Sequence, residues 1–305
     1  NVFEDLTSGD NNTALGFNTL QNITTGSDNT AIGRTTLVST TTGSDNTAVG
    51  KSALAANTSG AENVAIGKLA LTANTTASNN VAVGVECLDG NTTGTQNTAM
   101  GKASLGANTT GNYNTAYGAY ALDANTTASY ITAIGWSALT TCAGGLENVA
   151  VGANSAALTT TGSYNVSVGT NSLYANTTGV SHTAVGYGAL DACTTGNNNT
   201  AVGRDALGAL TTGGHCTAVG INALKTSTTT SDNTAFGSGA GLSNTGDSNT
   251  MIGRAAMENA TSGIHNTALG MASGLSTTTA SYSTLVGRNA GYDQTTGGYN
   301  VMVGY

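Results

Sequence analysis

The chain has 305 residues, of which 43 are Gly and none is Pro, with 8% charged and 5% aromatic residues and a formal net charge of −8. So few charges argue against a solvated disordered chain, and so few large apolar residues argue against a thick globular core. The acidic balance argues against nucleic acid and anionic membrane surfaces as partners. No apolar run has the length of a membrane-spanning helix, and no basic-then-apolar leader opens the sequence.

From the first elements onward a single phrase returns. "NNTALG" ends at Gly16, and the equivalent Gly recurs at 33, 50, 67, 84, 101, 118, 135, 152, 169, 186, 203, 220 and 237, every seventeen residues. One interval, "SGAGLSNTGDSNTMIG", has sixteen residues and ends at Gly253; 270, 287 and 304 follow at seventeen. A fixed period held from end to end is the signature of a solenoid. With that Gly as position zero, minus one is always apolar (Leu15, Ile32, Val49 to Val303) and minus three is only Thr or Val. Minus two is Ala except at Ser167, Met251, Leu285 and Met302, minus four is usually Asn, and Leu recurs four residues after the Gly.

Branched residues two apart around a small one predict a short strand with two faces. The restriction at minus three and minus one marks those side chains as the core face. The Ala face is then the outer one, small enough for a neighbouring chain to pack closely. Gly at zero and a Thr-Thr-Gly phrase supply corners, and the Leu returns to the core from a second extended piece. The absence of Pro suits coils that donate their N–H groups to one another, and no helical period is present. The expectation is an all-β fold, a parallel β-roll or β-helix of about eighteen coils. At ~4.8 Å per rung these would extend about 85 Å. Asn at minus four is expected either to stack as a hydrogen-bonded ladder or to supply left-handed backbone at a corner. The chain starts and stops in phase with no polar cap, so it is expected to be one repetitive segment of a longer fibre.

Two variable columns are candidate surface-binding edges. The residue after the Gly is Arg34, Lys51, Lys68, Lys102, Arg204, Arg254 or Arg288 in seven coils, and Phe17, Trp136 or Tyr187 in others. This is either a stripe for acidic glycans or a solvated edge whose charge blocks aggregation. Five residues before the Gly lie Tyr113, Tyr130, Tyr164, Tyr282, Tyr299, His215 and His265, which could stack on sugar rings or on one another. Catalytic, cofactor and metal sites are not expected. Cys87, Cys142, Cys193, Cys216 and the three His lack ligand spacing. Cys142 and Cys193 share a column three coils apart, ~14 Å, outside disulfide reach. Asp89 and Asp123 share a column two coils apart, too isolated to act as a hydrolytic pair.

The frame of Gly50, Ala53, Gly60, Asn63, Ala65, Ile66 and Gly67 resembles the head repeats of trimeric autotransporter adhesins, with about three extra residues before Gly60. The last repeats, "LVGRNAGYDQTTGGYNVMVGY", look closer still to repeats of tail-fibre-type surface proteins of phages and bacteria. The resemblance spans essentially the whole chain. It implies a left-handed parallel β-roll, three chains side by side with the Ala column at their interface, an extracellular or virion location, and glycan or receptor contacts on a host surface. End-to-end stacking into a filament fits the uncapped ends. The rival expectation is a Thr-rich ice-binding solenoid. Against it, the paired Thr are adjacent and so point to different sides, and the minus-three Thr is assigned to the core. Sequons such as Asn57-Thr58-Ser59 and Asn74-Thr75-Thr76 leave glycosylated corners open.

Overall fold

Each repeat builds one coil, and each coil contributes one three-residue strand. The computed structural model describes residues 2–305. These form an all-β parallel solenoid of seventeen-residue coils, with no helix among the described residues. The chain divides into two compact units, Asn1–Asn148 and Val149–Tyr305. The first carries β1 (Thr13–Leu15) to β8 (Thr132–Ile134), the second β9 (Val149–Val151) to β18 (Val301–Val303). Within each unit successive strands pair in parallel and in register, so that like stacks on like: Thr30 on Thr47, Ala31 on Ala48, Ile32 on Val49. Between strands the ladder continues through the turns, for example Ser52 N–H to Arg34 O at 2.9 Å and Leu54 N–H to Ala70 O at 3.0 Å.

The zero Gly and the Thr-Thr-Gly phrase do carry bends, as at Gly50 and at Thr41 and Thr42, but much of the turning falls on other residues. Three non-glycine positions per coil are left-handed, as at Ser52 (φ 59°), Leu54 (φ 49°) and Glu62 (φ 58°). Such backbone costs about 1–2 kcal/mol per residue. It persists because the hydrogen bonds it aims at both neighbouring coils would otherwise be lost. The zero Gly is required for closeness as well as for its φ of about 132° at Gly50: a Cβ there would lie 2.5 Å from Gly67 O. The Leu column sits in a turn, not in the second extended piece expected for it.

The two strand faces are also the reverse of the expectation. In β4 (Val64–Ile66), Ala65 is fully buried, whereas Ile66 is 40% exposed and Val64 is half-buried. The Ala column faces the solenoid interior and therefore cannot be an interface between chains. The reason is volume. Leu54 and its equivalents enter the interior from the opposite wall, and only a small side chain fits across from them. Where that wall carries Gly instead, as at Gly241, Gly274 and Gly291, the same coil carries Met251, Leu285 or Met302 in place of Ala. A Cβ on Gly241 would lie 2.6 Å from Met251 Sδ, and one on Gly274 would lie 2.7 Å from Leu285 Cδ1. Close packing makes the sum of the two volumes the conserved quantity.

Two Asn ladders complete the interior. Asn63 Nδ2 donates to Asn46 Oδ1 at 3.1 Å and to Ala77 O at 2.9 Å, and Asn46 Oδ1 also accepts the Asn63 N–H. A second ladder, seven residues after the Gly, links Asn57, Asn74, Asn91, Asn108 and Asn125 at 2.8–3.1 Å. The minus-four Asn is thus a stacked ladder, and the left-handed residue is the one before it. The short coil is absorbed at the Thr-Thr-Gly corner, where Asn244-Thr245-Gly246 replaces a four-residue phrase. β14 (Thr234–Phe236) and β15 (Thr250–Ile252) remain in register.

Candidate functional site: the exposed strand face and its two edges

Alternation along each strand sends minus three and minus one outward, and in-register stacking turns them into two parallel columns. One column is Thr or Val and the other is Ile, Val, Leu, Met, Tyr or Phe; neither contains a charge in any coil. Away from the first and last coils, exposure on this face reaches 54% at Tyr117 in the first unit and 56% at Phe236 in the second. The face repeats on eight coils in one unit and ten in the other, and a contiguous uncharged surface of this kind is the sort that marks an interaction site. The strand Thr residues, among them Thr30, Thr47 and Thr98, present methyl and hydroxyl groups on it. The corner Thr are different: their hydroxyls donate to the backbone of the next coil, as in Thr58 to Thr75 O at 3.0 Å and Thr109 to Thr126 O at 2.9 Å.

The edge after the Gly carries the sequence-predicted Arg34, Lys51, Lys68, Lys102, Trp136 and Arg204, all exposed. The structure gives several of them local partners. Lys68 Nζ lies 3.8 Å from Glu86, Lys102 Nζ lies 5.4 Å from the Tyr120 ring centroid, and Arg204 Nε lies 3.9 Å from Asp205. Hydrogen bonding to Tyr120 helps raise the Lys102 pKa.

The opposite edge, five before the Gly, carries Tyr113, Tyr130, Tyr164, Tyr282 and Tyr299. Tyr113 and Tyr130 stack with ring centroids 5.0 Å apart and planes 6° off parallel. Tyr282 stacks likewise on Tyr299 and on His265. These rings spend one or both faces on one another, so the aromatic ladder is realised and only the outer faces remain for a sugar. Tyr164 stands apart from both stacks, with Ser181 on the next coil. What the sequence reading missed is the sign of this edge. It holds Asp28, Asp45, Glu62, Glu147 and Asp232 and no Lys or Arg, while the other edge holds seven Lys/Arg and no carboxylate. Counting charge by column would have found it.

Titratable groups also lie away from the strand face. Asp89 and Asp123 do converge, because Gly106 lies between them: a Cβ there would be 2.8 Å from Asp123 Oδ1 and 3.4 Å from Asp89 Oδ1. Burial raises both pKa values. Among the described residues no three His, Cys, Asp or Glu lie together in a way that could hold a metal ion. All four cysteines are free and buried, and burial pushes Cys87 up to about 12 and Cys193 to about 11. Among the described residues, no helix is long and apolar enough to cross a membrane. No protein-family model matches the chain, and no curated protein sequence matches it.

Proposed function

We propose that this chain is a shaft segment of an extracellular fibre, of the tail-fibre or adhesin kind its repeats resemble, in which copies pack side by side. The observation that carries this is the uncharged outward strand face repeated on every coil. Burying it against further copies removes apolar surface from water and supplies the contact once expected of the Ala column. Three copies is the number the resemblance implies. The work of such a segment is mechanical: ladder bonds and a stacked interior keep a spacer stiff, and its free edges meet host-surface glycans or receptors. Static light scattering tests this. The expected result is about three times the 29.9 kDa chain mass, stable on dilution; a monomer overturns the reading.

One observation favours a second reading, ice binding. The minus-three Thr faces outward, two residues from an outward Val or Ile, so hydroxyl and methyl groups repeat at strand spacing along an in-register sheet. Thermal hysteresis and ice shaping by the purified chain test it. A monomer with hysteresis selects this reading, and a stable multimer without hysteresis selects the fibre.

A further inference from the structure

We infer that copies of this chain associate parallel and without stagger, the basic edge of one strand face meeting the acidic edge of the next copy's. This rests on the reading that further copies cover the strand face, and it adds their direction and alignment. In three consecutive coils of the first unit the two edges carry opposite charges. Asp28 and Arg34 bracket β2 (Thr30–Ile32), Asp45 and Lys51 bracket β3 (Thr47–Val49), and Glu62 and Lys68 bracket β4. The two members of each row lie at opposite ends of an extended strand and form no ion pair with each other. Among the described residues the only ion pairs are Lys68–Glu86, Arg204–Asp205 and Lys225–Asp205. Asp45, Glu62, Arg34 and Lys51 therefore form no ion pair among the described residues. In the rows around the later strands of the first unit only the basic edge keeps a charge, at Lys102 opposite Gln96.

Symmetry converts this pattern into an orientation. A rotation axis along the coil stack sets the basic edge of each copy against the acidic edge of its neighbour. A twofold axis along the strands turns one copy end for end and sets basic against basic, which like-charge repulsion penalises. Rotation about the stack axis also leaves heights unchanged, so in a closed ring each coil meets the same coil. Asp45 of one copy then faces Lys51 of the next. Exposed pairs of this kind add little affinity; attraction comes from the apolar face, and the edges fix direction.

The test uses the full chain with Asp45→Cys and Lys51→Cys together, oxidised at low concentration and run on a denaturing gel without reductant. The two positions are six residues apart across a strand rising ~3.3 Å per residue, too far for a bond within one chain, and the native thiols are buried. The expected product is a covalent multimer with the copy number that light scattering gives for the unaltered chain. Either substitution alone yields no covalent dimer, because like edges do not meet. Glu62→Cys with Lys68→Cys repeats the experiment one coil on, should the first pair fold poorly. Reversing Asp28, Asp45 and Glu62 to Lys together raises the dissociation constant about tenfold or more at low salt, less at 1 M salt. Adding Arg34→Glu, Lys51→Glu and Lys68→Glu restores it. A covalent dimer from a single substitution, or failure of both pairs to link while the mass stays multimeric, overturns the inference and leaves the fibre reading standing. A monomeric unaltered chain overturns both.

Discussion

Leu54 occupies a conformation that branched and bulky residues usually avoid, and its equivalents do so coil after coil. The interior explains why this is tolerated. The left-handed turn is what points the Leu inward against Ala, and the pair fills the section. The exceptions isolate the rule: Gly241 and Met251 are the same pair with the volume moved to the other wall. Gly241→Leu alone should overpack that coil and cost about 1–3 kcal/mol, and Met251→Ala alone should leave a cavity costing about 2–5 kcal/mol. Together they recreate the common Leu–Ala pair, and urea unfolding should then return to within about 1 kcal/mol of the unaltered chain. A double variant no better than the worse single one would mean the two walls do not share one space.

The strand and the ladder beside it show what the sequence could reveal. Period, strand position and the stacked Asn were legible, because each is fixed by identity at a spacing. Inside and outside were not, because Ile66 and Ala65 were ranked by hydrophobicity, and in a coil this thin the larger residue is the one that does not fit. The Leu turn was illegible for a related reason: Leu carries no left-handed preference, and only the ladder it completes holds it there. The basic edge was found from the sequence, but its acidic counterpart was hidden behind the aromatics in the same column. His182, which takes a place in the minus-four Asn ladder, leads to a pH prediction. It is buried, its Nδ1 accepts the Asn199 N–H at 3.3 Å, and Cys193 Sγ lies 3.7 Å from Nε2. Burial lowers its pKa below the ordinary 6.5. Below that pH the unfolded chain takes up a proton that the folded chain refuses, so stability falls as pH drops from about 6.5 through the folded value. His182→Asn restores a ladder residue and should remove that loss, leaving other acid effects in place. Melting curves between pH 7 and 5 that slope equally for both proteins would sink the assignment.

For the molecule as a whole, the structural unit is the coil, and the natural sixteen-residue coil shows what the stack accepts. It omits one residue at an outward corner, and the strands on either side stay in register. Nearest-neighbour contacts of this kind make stability approximately a sum over coils and their interfaces. Deleting residues 51–67 from the first unit removes one whole coil and brings Gly50 directly before Leu-bearing coil 68–84, with every column preserved. That protein should keep the unaltered circular dichroism per residue, and it should keep its copy number, because the strand face merely loses one row. Deleting only 52–59, eight residues, sends Glu62 toward the place of Leu54 and breaks both Asn ladders. It should lose cooperative melting over the coils beside the cut. The contrast matters more than either result. If both deletions were tolerated equally, the ladder would not be setting register; if both were destructive, the unit of folding would be larger than one coil and the stack would not be additive.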